Sequence, residues 1–374
     1  MRDVLVAGAG LHRYDIFPET SFVSMGVEAC QRALEDAEVQ WQDIEVGYCG
    51  SLNLPPMSGH AIGLYLGTYG TTMTNVENAS ASGSSAFREA YLAIASGMHD
   101  VAIAIGVDKL REYRRPSPRK KQDGKTETVK APSNTGDMQS FALLARDHMA
   151  RYGTTIDQLA MVSVKSHRNA SFNPYAHFQK PVTLDEVHRA RMVVEPLTVL
   201  HCCPWDEGAA AVVLCAADIA ARFTRKPCPR VLASVCTGST GGDPLVDLTE
   251  VTAYKAYDMA SCGPEGLDLV EVHDAVTIEE IIYYESLGLC PTGEGGRLIE
   301  SGETEIGGRI AVNTSGGLIS MGHPIGPTGL GQIAEILWQM RGQAGSRQVP
   351  DNPRRDLAHM VGAGGVCFIH ILGL

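Results

Sequence analysis

Hydrophobic residues follow two patterns along this chain, one with the period of a helix and one in short continuous runs. Residues 22–38 carry apolar or small side chains at helical spacing, and Thr20 and Ser21 precede them as possible caps. The run D-V-A-I-A-I-G at 100–106 is apolar throughout, which is typical of a strand covered on both faces. Further strands are predicted at 3–9, 44–49, 230–235, 267–272 and 309–313, and further helices end near residues 97, 260, 287 and 341.

The order of these elements repeats. Each half runs strand, helix, strand, helix, strand, loop, helix, strand, and T-N-V-E-N-A-S-A-S-G in the first half parallels A-V-N-T-S-G-G in the second. After the helix, D-V-A-I-A-I-G is matched with V-G-A-G-G-V-C-F-I. Internal duplication of alternating strands and helices predicts an α/β protein with a mixed, mostly parallel sheet in each half. Residues 110–195 fit neither repeat and are interpreted as an insertion. The predicted domains are a first half at 1–109 and 196–225, a loop domain at 110–195 and a second half at 226–374.

The composition and charge of the chain exclude several classes of function. The 374 residues suit two similar domains, and a net charge of −12 argues against a nucleic-acid binder. The cationic segment 109–130 is either a solvated loop or an anion site, for example for a phosphorylated cofactor. The chain begins with a strand pattern and has no long apolar run, so a cytoplasmic protein without a membrane segment is expected. Ten cysteines are interpreted as thiols, and H-C-C at 201–203 lacks paired zinc-ligand spacing, so no metal site is predicted.

Small residues crowd the start of a helix in N-V-E-N-A-S-A-S-G-S-S-A-F at 75–87. Such a turn aims backbone N–H groups at one spot. Ser80 and Ser82 are each either a helix cap or a nucleophile, and a serine needs a nearby base to be reactive.

Three other segments carry candidate chemistry. N-T-S-G-G-L-I-S-M-G-H-P-I-G-P-T-G at 313–329 fixes His323 between glycine and proline, and V-E-V-H-D-A-V-T at 270–277 places His273 at the carboxyl end of a strand. Asp274 either orients a neighbour or caps the next helix. H-M-V-G-A-G-G-V at 359–366 could bring backbone amides to a carbonyl oxygen. Its signal for a dinucleotide-binding loop is weak, because a strand and not a helix follows it. Together these segments suit an oxyanion site beside an acyl-carrying residue.

These motifs resemble the thiolase superfamily. The 313–329 segment is similar to the C-terminal thiolase signature. V-H-D-A-V-T and K-S-H-R-N-A-S-F-N-P-Y-A-H-F at 165–178 resemble the sterol-carrier-protein and archaeal branch. The resemblance covers essentially the whole chain. It implies the thiolase fold, a duplicated five-layered αβαβα core with an inserted loop domain, and coenzyme A thioester substrates.

The resemblance also implies roles for individual residues. Ser80 stands at the position of the family's nucleophilic cysteine, and His323 activates that position and lines an oxyanion hole with His273. The backbone N–H groups of Ser80 and Gly362 would form a second hole, and His359 would belong to the proton-transfer apparatus. Ala275 stands where related enzymes carry an acid/base cysteine. The residues expected to contact coenzyme A are Arg114, Arg115, Lys120, Ser315 and Gly316.

The serine leaves three explanations open: an engineered Cys→Ser change, a natural thiolase-like retro-aldolase acting on a 3-hydroxyacyl-CoA, or a non-catalytic coenzyme A-binding subunit. A serine hydroxyl is a far weaker nucleophile than a thiol at neutral pH. Because both histidines are retained, the favoured interpretation is an acyltransferase of acyl-CoA metabolism. It would cleave a 3-oxoacyl-CoA with coenzyme A, or run the reverse Claisen condensation.

The resemblance further implies partners. A homodimer or a dimer of dimers is expected, and a small protein with a zinc ribbon and an OB-like fold is a possible additional partner. Coenzyme A is expected as a substrate, with no permanently bound cofactor.

Overall fold

The computed structural model describes residues 1–110, 138–239, 241–243, 245–363 and 365–374. The first half contains β1 (Val4–Asp15), α1 (Phe22–Ala37), β2 (Val46–Gly50), α2 (Ser58–Leu66), β3 (Thr72–Val76), α3 (Ser82–Ala95), β4 (Val101–Asp108) and, after the insertion, β7 (Glu207–Ala216). The insertion contains α4 (Met138–Tyr152), α5 (Ile156–Ala170), α6 (Leu184–Arg189), β5 (Met192–Val194) and β6 (Leu197–Thr198). The second half contains β8 (Arg230–Gly238), α7 (Val246–Ala260), β9 (Leu269–Glu271), α8 (Thr277–Ser286), α9 (Gly295–Glu300), β10 (Ala311–Val312), α10 (Thr328–Met340), β11 (Arg355–Gly362) and β12 (Val366–Gly373).

Local sequence explains several of these elements. The Ser21 side chain accepts a hydrogen bond from the Ser24 N–H, so Ser21 is the predicted cap of α1. Every residue of β4 and β7 is buried, which agrees with their continuous apolar sequences. Two large apolar clusters form the core: Phe87 and Ile103 lie in one, and Ile281 lies in the other.

The ten long and short strands of the two halves form one sheet in the order β10-β9-β11-β12-β8-β1-β7-β4-β2-β3. The halves meet where Leu5 of β1 pairs with Arg230 of β8. Within each half the first strand is followed by the fifth, fourth, second and third, so the two halves share one topology. The duplication expected from the sequence is therefore confirmed at the level of strand order.

Two details of the predicted repeat were wrong. Each half has two parallel and two antiparallel strand pairs, so the sheet is mixed but not mostly parallel. The counterpart of D-V-A-I-A-I-G in β4 is D-L-A-H-M-V-G at 356–362 in β11, because each of these strands is the fourth of its half. V-G-A-G-G-V-C-F-I instead spans the turn between β11 and β12, which pair as a hairpin.

Helix α10 packs against α3 and against strands of both halves. Glycines allow the beginnings of these two helices to approach closely. A Cβ atom on Gly83 or on Gly106 would lie 2.5 Å from the carbonyl oxygen of Gly326, which is too close for any side chain. This contact brings the segment before α3 and the segment before α10 to the same place.

The insertion packs mainly on the second half. Helix α5 contacts α8 and α9, and it also contacts the π-helical turn Gly317–Met321. Among the residues that the structure describes, no helix has the length and apolar character needed to cross a membrane.

Candidate active site

The turn before α3 presents the Ser80 side chain. Ala79 has φ of 48°, in the left-handed region that is uncommon for residues other than glycine. Ser82 is fully buried, and its hydroxyl accepts from the Asn78 N–H and donates to the Ala79 carbonyl. Ser82 therefore stabilises the turn. The Ser80 side chain is only half-buried, and its Oγ lies 3.0 Å from Nε2 of His323.

His323 is held from two sides. Its Nδ1 lies 2.9 Å from Oγ1 of Thr328, and its backbone N–H donates to Oδ2 of Asp206 over 3.0 Å. Burial, and then the proximity of His273, lower the pKa of His323 well below the usual range. The imidazole is therefore neutral at physiological pH. With Nδ1 protonated and donating to Thr328, Nε2 can accept a proton from Ser80.

His273 faces His323 directly, with the two ring centroids 5.4 Å apart at an interplanar angle of 82°. The side chain is almost fully buried, and its Nδ1 lies 3.5 Å from Oε1 of Glu279. Neither ring nitrogen has a hydrogen-bond partner among the described residues. Glu279 also accepts from the Val276 N–H, so it both caps α8 and lies beside the histidine.

His359 lies deeper than the other two histidines. It is completely buried in β11, where Nε2 lies 3.2 Å from Oγ1 of Thr249 and the ring packs against Tyr283. Burial and His273 lower its pKa well below the usual range. The structure thus places His359 in the interior near His273, and its part in proton transfer stays a prediction.

Asp206 connects His323 to the insertion. Its Oδ1 forms an ion pair with Nδ1 of His177 at 2.6 Å, and this carboxylate raises the pKa of His177. The backbone N–H of His177 donates to the carbonyl of Met321, the residue before Gly322 and His323. A Cβ atom on Gly322 would overlap the Asp206 carboxylate, so only glycine permits this approach.

Residues 165–178 of the insertion hold the start of the histidine loop, which comprises residues 313–323. The Asn169 side chain donates to the Asn313 carbonyl at 3.1 Å, and the Asn173 side chain donates to the Ser315 carbonyl at 2.8 Å. Asp274 accepts the Leu318 N–H at 2.6 Å, so it orients this loop and does not cap α8. The 165–178 segment therefore acts as a scaffold for residues 313–323.

Gly362, the last residue of β11, packs against the turn at residues 78–81 that carries Ser80. A Cβ atom there would overlap the Asn78 carbonyl oxygen and would lie 3.3 Å from the Ala81 side chain. This close approach puts the backbone of the β11–β12 turn beside the segment that carries Ser80.

The predicted coenzyme A contacts differ in their surroundings. Ser315 is buried, and its hydroxyl donates to Glu271 at 2.5 Å. Gly316 is also buried, and a Cβ atom there would lie 2.5 Å from the Ala170 side chain. Both residues therefore help to hold the local backbone, and their contact with coenzyme A stays a prediction. Arg114, Arg115 and Lys120 lie outside the described residues.

The cysteines near the site do not form a metal centre. Cys202 and Cys203 are partly buried, and the Cys203 N–H donates to the Ala275 carbonyl at 2.9 Å. In the part of the chain that the structure describes, no group of three or more histidine, cysteine, aspartate or glutamate side chains is arranged to hold a metal ion.

Family models match both halves of the chain. The model described as "Thiolase, N-terminal domain" matches residues 11–218, and "Thiolase C-terminal domain-like" matches residues 238–372. The chain belongs to the thiolase family. An acetyl-CoA acetyltransferase of Methanothermobacter thermautotrophicus is 41% identical, with 99% of each chain covered. Sterol carrier protein 2 of Bos taurus is 34% identical over 98% of this chain and 71% of its own length. Both branches named by the sequence motifs are thus represented among its relatives.

A solved structure, the "Ltp2-ChsH2(DUF35) aldolase", shares the fold of this thiolase-family chain. The TM-score is 0.84 at 23% sequence identity, and the superposition covers 99% of this chain and 97% of the other. The thiolase fold predicted from the motifs is confirmed.

Several residues that shape the site of this thiolase-family chain were not found by sequence reasoning. They are Thr328, Asp206, His177 and Glu279. His177 lies near the end of a segment whose only signal is its family resemblance. Glu279 lies in the first turn of α8, but Val276 at the cap position lacks the polar side chain of a capping box, so the local sequence did not single out Glu279. Asp206 gave no local signal, because its partners lie 29 and 117 positions away along the chain.

Proposed function

We propose that this protein is a thiolase-type C-acyltransferase that cleaves the C2–C3 bond of a 3-oxoacyl-CoA. The observation that carries the proposal is the 3.0 Å contact between Ser80 Oγ and His323 Nε2, with the His273 ring packed against His323. A nucleophile within hydrogen-bond reach of a neutral base is the arrangement that covalent acyl transfer needs.

In the proposed reaction the hydroxyl of Ser80 attacks the C3 carbonyl while its proton moves to Nε2 of His323. His273 donates a hydrogen bond to the substrate oxygen, since its ring nitrogens are otherwise without partners among the described residues. The C2–C3 bond breaks, and the electron pair remains on C2 as the enolate of the shorter acyl-CoA. Coenzyme A then takes the acyl group from residue 80, and the reverse sequence is a Claisen condensation.

Replacing the hydroxyl with a thiol tests this proposal. We expect Ser80→Cys to raise the rate of coenzyme A-dependent cleavage of acetoacetyl-CoA or a longer 3-oxoacyl-CoA by orders of magnitude, because a thiolate is the stronger nucleophile. Ser96→Ala, at the other end of α3, is the matched control and should leave the rate unchanged. If Ser80→Cys shows no gain with any chain length, the acyl-transfer proposal fails.

A second candidate is a thiolase-like retro-aldolase. The serine itself favours it, because retro-aldol cleavage needs a base but no acyl-enzyme. The Ltp2-ChsH2(DUF35) structure shows that the fold occurs in a protein named an aldolase. Release of an aldehyde or ketone from a 3-hydroxyacyl-CoA, unaffected by Ser80→Ala, would favour this activity over acyl transfer. Binding of coenzyme A with neither activity would indicate a binding subunit.

Partners and location belong to the same proposal. We expect coenzyme A as a substrate, no permanently bound cofactor, a cytoplasmic location, and a homodimer or a dimer of dimers. The name Ltp2-ChsH2(DUF35) pairs two proteins, and this supports testing for a small zinc-ribbon and OB-fold partner. Co-expression with a candidate partner, followed by size-exclusion chromatography, checks this expectation.

A further inference from the structure

An acyl group carried by Ser80 would differ chemically from one carried by a thiol. Attack by the Ser80 hydroxyl gives an oxygen ester, whereas a cysteine gives a thioester. A thioester is the more reactive acyl donor, so moving an acyl group from Ser80 to coenzyme A runs uphill. Moving it to water runs downhill, because the product is a stable carboxylate. The oxygen atom at position 80 therefore changes which acceptor is favoured.

The surroundings of Ser80 suit water as an acceptor. Ser80 and His323 are largely buried but each keeps some exposed surface, so a molecule as small as water can reach the two atoms that lie 3.0 Å apart. His323 Nε2 is positioned to take a proton from an oxygen atom at this place. In the tautomer with Nδ1 protonated, Nδ1 donates to the Thr328 hydroxyl on the opposite side of the ring. The same nitrogen can deprotonate Ser80 in the first step and water in the second.

The residue at 275 fits the same chemistry. Ala275 cannot exchange a proton, and its carbonyl is already occupied by the Cys203 N–H. A reaction that returns each proton through one histidine needs no second acid/base group. His323 starts and ends both half-reactions neutral, which agrees with the lowering of its pKa by burial.

We propose that this protein has a hydrolytic activity in addition to acyl transfer to coenzyme A: water takes the acyl group from Ser80, so a 3-oxoacyl-CoA is split into a carboxylic acid and a shorter acyl-CoA. This inference rests on the proposed function, because it uses the same acyl-enzyme.

The steps balance without any oxidant or reductant. The bond from Ser80 Oγ to C3 forms as the proton passes to His323, and the C2–C3 bond breaks with its electrons on C2. His323 returns the proton to C2, which completes the shorter acyl-CoA. Water then bonds to C3 as His323 takes one of its protons, and the bond from C3 to Ser80 Oγ breaks as that proton returns to the serine.

The experiment incubates the full chain with acetoacetyl-CoA, and with longer 3-oxoacyl-CoAs, in the absence of coenzyme A. We expect many turnovers, with acetate and acetyl-CoA formed in equal amounts from acetoacetyl-CoA and with oxygen from labelled water in the acetate. Ser80→Ala should lower this rate by at least about 100-fold, whereas the control Ser96→Ala should not change it. Added coenzyme A should divert only part of the acyl group.

Other outcomes separate the two proposals. One equivalent of acetyl-CoA per site followed by no turnover would overturn hydrolysis but support the acyl-enzyme. Cleavage that strictly requires coenzyme A would do the same. Acetoacetate and free coenzyme A as products, or a hydrolytic rate unaffected by Ser80→Ala, would overturn the role of Ser80 in hydrolysis. Absence of any cleavage by the native chain and by Ser80→Cys would overturn the proposed function itself.

Discussion

At the scale of single residues, the electrostatic environment of His323 decides what the pair with Ser80 can do. An imidazole that is already protonated cannot take a proton from a hydroxyl. The ring is instead buried beside a second histidine, and among the described residues the hydrogen-bond partner of Nδ1 is a threonine hydroxyl and not a carboxylate. A carboxylate there would stabilise the imidazolium and raise the pKa. The site thus keeps its base in the reactive form but makes it less basic.

The pH dependence of the reaction follows from this. Because the pKa of His323 lies well below 6.5, the base stays neutral as the pH falls through that value. We expect kcat/KM for 3-oxoacyl-CoA cleavage to remain level from pH 8 to below pH 6.5 and to fall only at more acidic pH. Circular dichroism at each pH provides the control for unfolding. An acidic limb centred at or above pH 6.5 would show that His323 is not the base described here.

At the scale of elements, the histidine loop is positioned by groups outside it. The Asp206 carboxylate accepts a hydrogen bond from the backbone N–H of His323 and forms an ion pair with the His177 ring. This one side chain, immediately before β7, therefore joins the histidine loop to the insertion. Asp15 also lies near His177, at 3.7 Å, and Arg13 is close enough to oppose its protonation. Asp206 remains the main reason for the raised pKa of His177. Asp206 is interpreted as a positioning residue for His323, because the proposed reaction requires no contact between Asp206 and the substrate.

Asp206→Asn tests this positioning. The amide retains one oxygen but removes the charge, so we expect kcat to fall by about 10- to 100-fold, as for other small misplacements of a catalytic group. KM should change little. The pKa of His177, followed by NMR, should fall towards its ordinary value. Asp185→Asn, an exposed carboxylate in α6, is the matched control. An unchanged kcat together with a shifted His177 pKa would mean that the carboxylate does not position His323.

The elements also show what sequence reasoning can and cannot find. Helix α1 was predicted to within a residue because its apolar spacing and its cap are local signals. Strand β7 was not singled out, since E-G-A-A-A-V-V-L-C-A has neither alternation nor turn signals at both ends. The proximity of Ser80 and His323, 243 positions apart, was expected from the internal repeat and from the family motifs, not from any local signal. Asp206 could not be identified from the sequence, because its role depends on contacts with His177 and His323 that form only in the folded protein.

At the scale of the whole molecule, a buried ion pair joins the insertion to the second half. Nζ of Lys165 in α5 lies 2.5 Å from Oε1 of Glu280 in α8 and 3.0 Å from the Tyr284 hydroxyl. The two charged side chains are 1% and 0% exposed. The Asn313 side chain donates to the other Glu280 oxygen at 2.6 Å, which extends this contact to the histidine loop. Removing one charge would leave the other buried without the opposite charge that it is paired with.

We therefore expect Lys165→Met to destabilise the protein by about 3–5 kcal/mol, the usual consequence of breaking a buried pair from one side. Thermal and urea unfolding check this, and Lys165→Met combined with Glu280→Gln should recover part of the loss. The control is Arg189→Met, which breaks an ion pair whose side chains are 81% and 77% exposed. Equal effects of Lys165→Met and Arg189→Met would contradict a structural role for the buried pair.

The free edge of the sheet leads to the last prediction. Strand β3 lies at the end of the strand order and pairs with β2 on one side, and an edge of this kind is a template for pairing with a second chain. Two aromatic side chains stand beside it, Tyr65 at 76% and Tyr69 at 63% exposure. If the expected homodimer forms along this edge, these rings become buried.

We therefore expect Tyr65→Asp combined with Tyr69→Asp to shift the molecular mass measured by light scattering from dimer to monomer. Tyr254→Asp, on an equally exposed tyrosine of α7, should leave the dimer intact. A dimer that survives the double substitution but dissociates with Tyr254→Asp would place the interface on the second half.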